Sequence, residues 1–197
     1  EIDPRAPEYN NIRKQLSDSN VGLIILDPSK DQEHPAIKSA KYQGIIFPCS
    51  ILWSPSDNRI LQPKAKSLIN LVDEVLYSPL RVKISAQFYN HFAFTILLES
   101  TNQEMNRIAL SILQKSCDDI SNRMPNMPKQ VKHGAQELSI SPSGWEDERI
   151  LLWALGIDEI PENPIAFIIY GRGRIIGNLI DYNSINKQEF INNREKK

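Results

Sequence analysis

The side chains able to do chemistry in this chain are few and widely spaced. They are two cysteines, Cys49 and Cys117, three histidines, His34, His91 and His133, and a basic turn, Gly171-Arg172-Gly173-Arg174. A cysteine acts as nucleophile or redox centre only as the thiolate, and a neighbouring base, cation or second cysteine is what brings it to that form. Cys49 follows Pro48 at the expected start of a strand and is the candidate reactive thiol, but no His, Lys or second Cys adjoins it in sequence. A structural, buried thiol is the stronger reading there. Cys117 falls inside an amphipathic stretch and reads as core. The two cysteines make no CxxC and are expected to stay unjoined. No histidine stands at ligand spacing from another His or a Cys, so the sequence assigns no metal and no cofactor. No GxSxG or HExxH occurs either.

Gly171, Gly173 and Gly177 invite a phosphate-loop reading. The spacing fails, because a GxGxxG would need glycine where Ile176 stands, and a phosphate loop opens a helix, whereas these glycines lie between two apolar runs. A hairpin turn using positive φ at glycine explains them. Arg172 and Arg174, beside Tyr170, then project from a loop tip, which suits a protein surface better than catalysis. A small-ligand carrier using the same arginines is a weaker reading. Trp145 and Trp153 lie on one expected helix, either in the core or as a partly exposed aromatic ridge, and Trp145 joins Tyr170, Arg172 and Arg174 as a candidate partner-binding residue. The acidic run Glu146-Asp147-Glu148 is expected in that helix's first turn, where it complements the macrodipole.

Local patterns place these residues on elements. A short helix is expected over 6–17, a buried strand over 21–26 (VGLIIL), and a short helix near 35–40. Pro48 marks the start of a strand over 50–53, followed by a turn, a return strand at 59–61 and a helix over 64–76. Ser78-Pro79 reads as the end of that helix, and 82–88 as irregular or helical. Residues 93–99 form a strand, Thr101 and Glu104 a capping box, and the following helix runs to about Arg123. A linker spans 124–132 and a short edge strand 138–141. A second capping box at Ser143 and Glu146 opens a helix ended by Gly156. Pro164 leads into strand, hairpin, strand and a final helix.

The chain has 197 residues, 41% of them hydrophobic, enough for a real core in one large domain or two small ones. Lys and Arg number 23 against 24 Asp and Glu, a net charge of −1, which offers no electrostatic case for nucleic acid or an anionic membrane. No apolar run nears the roughly 20 residues that span a bilayer. The start at Glu1 reads as a processed or trimmed end, compatible with a removed leader.

The strand and helix over 93–123, followed by the hairpin and helix over 165–193, resemble the thioredoxin fold. That resemblance implies a cis-proline before the hairpin, at Pro164, and a CxxC at the start of the first helix, which has no counterpart here. It also puts Cys49, next to Pro48, close to the surface that thioredoxin-like proteins use. Four further pieces carry a resemblance to an uncharacterised bacterial family, largely of exported proteins: Ser78-Pro79-Leu80-Arg81, Met127-Pro128-Lys129-Gln130-Val131, the run from Glu148-Arg149 to Leu155-Gly156, and Tyr170-Gly171-Arg172-Gly173-Arg174-Ile175-Ile176-Gly177. The resemblance implies an extracytoplasmic setting and a cysteine-bearing segment after the last helix, whose roles do not carry over to a chain ending at Lys197. The expectation is an α/β, thioredoxin-like protein of two tandem lobes, a degenerate one over 1–81 and a clear one over 82–197. Its expected function is non-catalytic: an interaction module in a multiprotein complex, with protein partners and no transmembrane segment. The rival is a single-cysteine thiol oxidoreductase using Cys49.

Overall fold

The computed structural model describes residues 6–65, 67–126, 131–170 and 174–186. They divide into two compact units between Tyr77 and Ser78.

The first unit is built on short helices. α1 (Pro7–Leu16) opens with proline, whose missing amide is harmless there, and buries Ile12 and Leu16. α2 (Pro35–Tyr42) also opens with proline and is capped by His34, whose Nδ1 accepts from the Ala36 amide at 3.2 Å. The cis peptide Phe47–Pro48 precedes a two-stranded antiparallel ribbon, β1 (Leu52–Trp53) and β2 (Ile60–Leu61), and then α3 (Leu68–Leu76), capped by Ser67. Ile12, Leu16 and Val72 form a small core. The expected buried strand over 21–26 is not formed. Among the described residues the segment has no ladder partner, and Ile24 is 58% exposed. A strand needs a neighbour for its backbone groups, and the ribbon in this unit stops at two strands. Val21 and Leu23 therefore pack on the small core while alternate residues face solvent.

The second unit carries the main sheet. α4 (Pro79–Ser85) leads to β3 (His91–Leu98), α5 (Gln103–Arg123), β4 (His133–Ile140), two 3-10 turns and α6 (Arg149–Ala154), then β5 (Ile165–Tyr170) and β6 (Arg174–Asp181). Residues 182–186 begin a last helix. The strand order is β4-β3-β5-β6. β3 runs parallel to β4 and antiparallel to β5, and β5 is antiparallel to β6. This is the thioredoxin-like arrangement, a βαβ unit joined through its first strand to a ββα unit.

Both faces of the sheet are covered, which explains the near-continuous apolar run of β3. On one face Phe94, Ile96, Leu98 and Phe167 pack against Leu80 and Ile84 of α4 and Leu152 of α6. On the other, Leu97 and Ala166 pack against Ala109, Ile112 and Leu113 of α5 and against Ile185. Burying side chains of this size stabilises by about 1.5–3 kcal/mol each.

Several expectations change here. Ser78-Pro79 starts a helix instead of ending one: Ser78 Oγ accepts from the Arg81 amide at 3.1 Å, with Pro79 in the first turn. The unit boundary therefore precedes Ser78 and does not fall after Arg81. β4 is longer than expected, because its polar, alternating sequence is that of an edge strand. Asn163–Pro164 is trans, the ordinary X–Pro preference. The cis bond lies instead at Phe47–Pro48, ahead of the ribbon and helix of the first unit. The hairpin tip at 171–173, including Arg172, and the final helix beyond 186 lie outside the described residues.

Candidate functional site

The start of α5 is where a thioredoxin-like enzyme would hold its cysteine pair. Here it is a closed polar knot. Asn106 Oδ1 accepts from the Ser100 amide at 2.9 Å and Asn106 Nδ2 donates to the Ser100 carbonyl at 2.8 Å. Ser100 Oγ accepts from the Asn102 amide at 3.1 Å, and Asn102 Oδ1 caps the helix by accepting from the Met105 amide. The cap is thus Asn102 and not Thr101, and Glu104 pairs instead with Arg107 at 2.6 Å. The Ser100, Asn102 and Asn106 side chains are all engaged in shaping the turn, and none of the three is a cysteine.

A second knot joins α4 to the turn before α6. Glu148 is 4% exposed, and its carboxylate accepts from Ser78 Oγ and from the Leu80 amide, both at 2.5 Å. Half-buried Arg81 lies within its field: desolvation lowers the guanidinium's pKa, and the attraction of Glu148 works against that. Glu148 therefore caps another helix rather than the first turn of its own. The stretches around Ser78 and around Glu148 are two sides of one contact.

Trp145 is 6% exposed and lies in the core with Leu152 and Ile157, so it offers no partner surface. Its indole follows a 3-10 turn capped by Ser141, which turns the ring onto the sheet. Tyr170 and Arg174 face each other across the β5–β6 hairpin. Tyr170 is 36% exposed and meets Phe92 edge-to-face with centroids 5.1 Å apart. β6 is the sheet's edge, and all but one of its residues are exposed, among them Ile175, Ile176 and Leu179. Sequence reasoning missed these three as surface residues. An apolar run looks the same at the edge of a sheet as inside it, and only the strand order separates the cases. Gly177, at φ +72, sits where the pairing of β5 and β6 shifts register, so the strand bulges there.

Cys49 is exposed and free, beside an apolar hollow of about 470 Å³ whose walls include Leu23, Ile25, Ile37, Phe47 and Ile51. Among the described residues no histidine, lysine or second cysteine lines that hollow. Desolvation raises the thiol's pKa. This is the opposite of activation. Cys117 is free and buried, its Sγ 3.7 Å from Thr95 Oγ1.

The histidines depart from the expectation drawn from spacing. His34 caps α2 and packs on Trp53. His91 and His133 stand opposite each other on the parallel strands β3 and β4, with ring centroids 4.9 Å apart. Burial and the neighbouring His133 lower the His91 pKa, while a backbone hydrogen bond at Gly134 raises it. Both rings line an open hollow of about 670 Å³ with Ser121, Met124 and Gln136. Among the described residues no group of three or more His, Cys, Asp or Glu is placed to hold a metal ion, and no helix is long and apolar enough to cross a membrane.

No family model matches the chain, and no curated protein matches it. Among solved structures the chain is similar to the bb fragment of ERp72, at 13% identity and a TM-score of 0.28, over 81% of this chain and 73% of that one.

Proposed function

We propose that this chain is a non-catalytic, thioredoxin-like interaction module that works as a subunit or assembly factor of a larger extracytoplasmic complex and docks through the β5–β6 hairpin. The observation that carries this reading is the edge strand β6. Among the described residues no strand lies beside its outer backbone groups, and it presents Ile175, Ile176 and Leu179 next to Tyr170 and Arg174. Exposed apolar edges are templates for pairing with another chain, and Tyr and Arg are common anchors of such contacts. The closed knot at the start of α5 supports the non-catalytic half of the reading. The desolvated Cys49 thiol weighs against the rival oxidoreductase.

The test is capture of partners from the native source with wild-type chain and with the double variant Arg174→Ala, Ile176→Asp. The variant should fold with an unchanged melting temperature, because both positions are exposed. It should lose partners that wild type retains. Retention of the same partners by the variant rejects the hairpin as the docking surface. Thiol–disulfide exchange activity that disappears in Cys49→Ser would establish the rival.

A further inference from the structure

We propose that His91 and His133, with the side-chain oxygen of Gln136, form an open site for a divalent transition-metal ion of the imidazole-preferring class, such as zinc, copper or nickel. The parallel register of β3 and β4 sets the two histidines opposite each other, with centroids 4.9 Å apart and planes tilted by 33°. At nitrogen–metal distances of about 2.0–2.1 Å, two imidazoles on one ion hold their centroids about 4.5–5.5 Å apart. The observed spacing falls within that range.

A second, independent observation points the same way. His91 Nδ1 and Gln136 Oε1 are buried and have no hydrogen-bond partner, and both residues line the hollow that His133 also lines. Buried acceptors are nearly always satisfied, so two orphans on one hollow call for an occupant that supplies positive charge or donors. Two imidazole nitrogens and one amide oxygen suit borderline metals better than calcium or magnesium, which want an all-oxygen shell.

Among the described residues the other charged groups lining the hollow are Lys132, which opposes a cation, and Glu137, which favours one. Ser121 and Met124, at the far end of α5 and just beyond it, add no charge. Three donors leave coordination positions for water or for a ligand from another molecule.

The test is calorimetric titration of the full chain with zinc chloride. We expect one ion per chain at pH 7.5, with a dissociation constant on the order of 10 μM. His133 is exposed, so His133→Gln should fold normally and weaken binding about tenfold or more, while His34→Ala leaves it unchanged. Absence of binding, or equal affinity in His133→Gln, overturns the site. Ring-nitrogen chemical shifts of the wild-type protein give a readout that needs no variant. Zinc should move His91 and His133 and spare His34, and movement of His34 alone, or of no ring, overturns the site as well.

Discussion

Cys49 and Glu148 show how much a side chain's surroundings decide what its chemistry amounts to. Cys49 is reachable from solvent, yet apolar neighbours raise its pKa above the ordinary value of 9.0. Alkylation by iodoacetamide at pH 7 should therefore be slow, and its rate should rise through a midpoint above pH 9; a midpoint below about pH 8 would mark an activated thiol instead. Glu148 accepts from two buried donors, the Ser78 hydroxyl and the Leu80 amide. Glu148→Ala should cost about 1–3 kcal/mol of unfolding free energy. Glu148→Gln, which keeps one acceptor oxygen, should cost less. Urea unfolding of the two variants measures both, and equal losses would show that packing and not hydrogen bonding makes the contact.

At the level of elements, two glycines of the sheet answer to different demands. Gly134, early in β4, lies so close to α5 that a Cβ there would sit 2.0 Å from Ser121 Oγ and 2.8 Å from Ser121 Cα. Gly134→Ala must push the strand from the helix and should destabilise by about 1–3 kcal/mol. Ser121→Ala should recover only part of this, because the backbone contact remains. Gly177 has open space around it but a φ of +72. Gly177→Ala should cost about 1–2 kcal/mol through backbone strain alone, with no dependence on Ser121. A double-mutant cycle separates the two cases: coupling with Ser121 is expected at position 134 and none at 177.

For the molecule as a whole, the histidine contact links stability to pH. The folded-state pKa of His91 lies below its ordinary 6.5. Between those two values the unfolded chain binds more protons than the folded one, so stability falls as pH falls. The contribution is complete above about pH 6.5 and is lost as pH drops through the lower folded value. Thermal melts from pH 8 to pH 5 should show that loss. His91→Gln should flatten the dependence over this window, and His133→Gln should reduce it, since the His133 charge is one of its causes. A melting temperature with equal pH slopes in wild type and His91→Gln would remove His91 as the source.

Sequence alone determined most of the elements. α1, α2, α3 and α5 follow from apolar periodicity and from Ser, Asn and Pro at their starts, and β3 and β5 from apolar runs bounded by turn residues; these are local signals, set by the stereochemistry of neighbouring residues. The ββα ending was legible for the same reason, and with it the thioredoxin-like order of elements. Even the start of α4 was written locally, in the Ser-Pro pair read as a stop. Tertiary structure alone decided which apolar surfaces are covered and which polar groups meet. Residues 21–26 look like a buried strand and, among the described residues, lack a neighbour to pair with, whereas Trp145, which the sequence leaves as either core or ridge, is enclosed by α6 and the sheet. Glu148 finds its donors 70 and 68 residues away in sequence, and His91 meets His133 only because two strands run parallel in a particular register. Period and capping are properties of neighbours along the chain. Burial, edge position and the meeting of distant side chains are properties of the closed sheet, and no spacing along the chain encodes them.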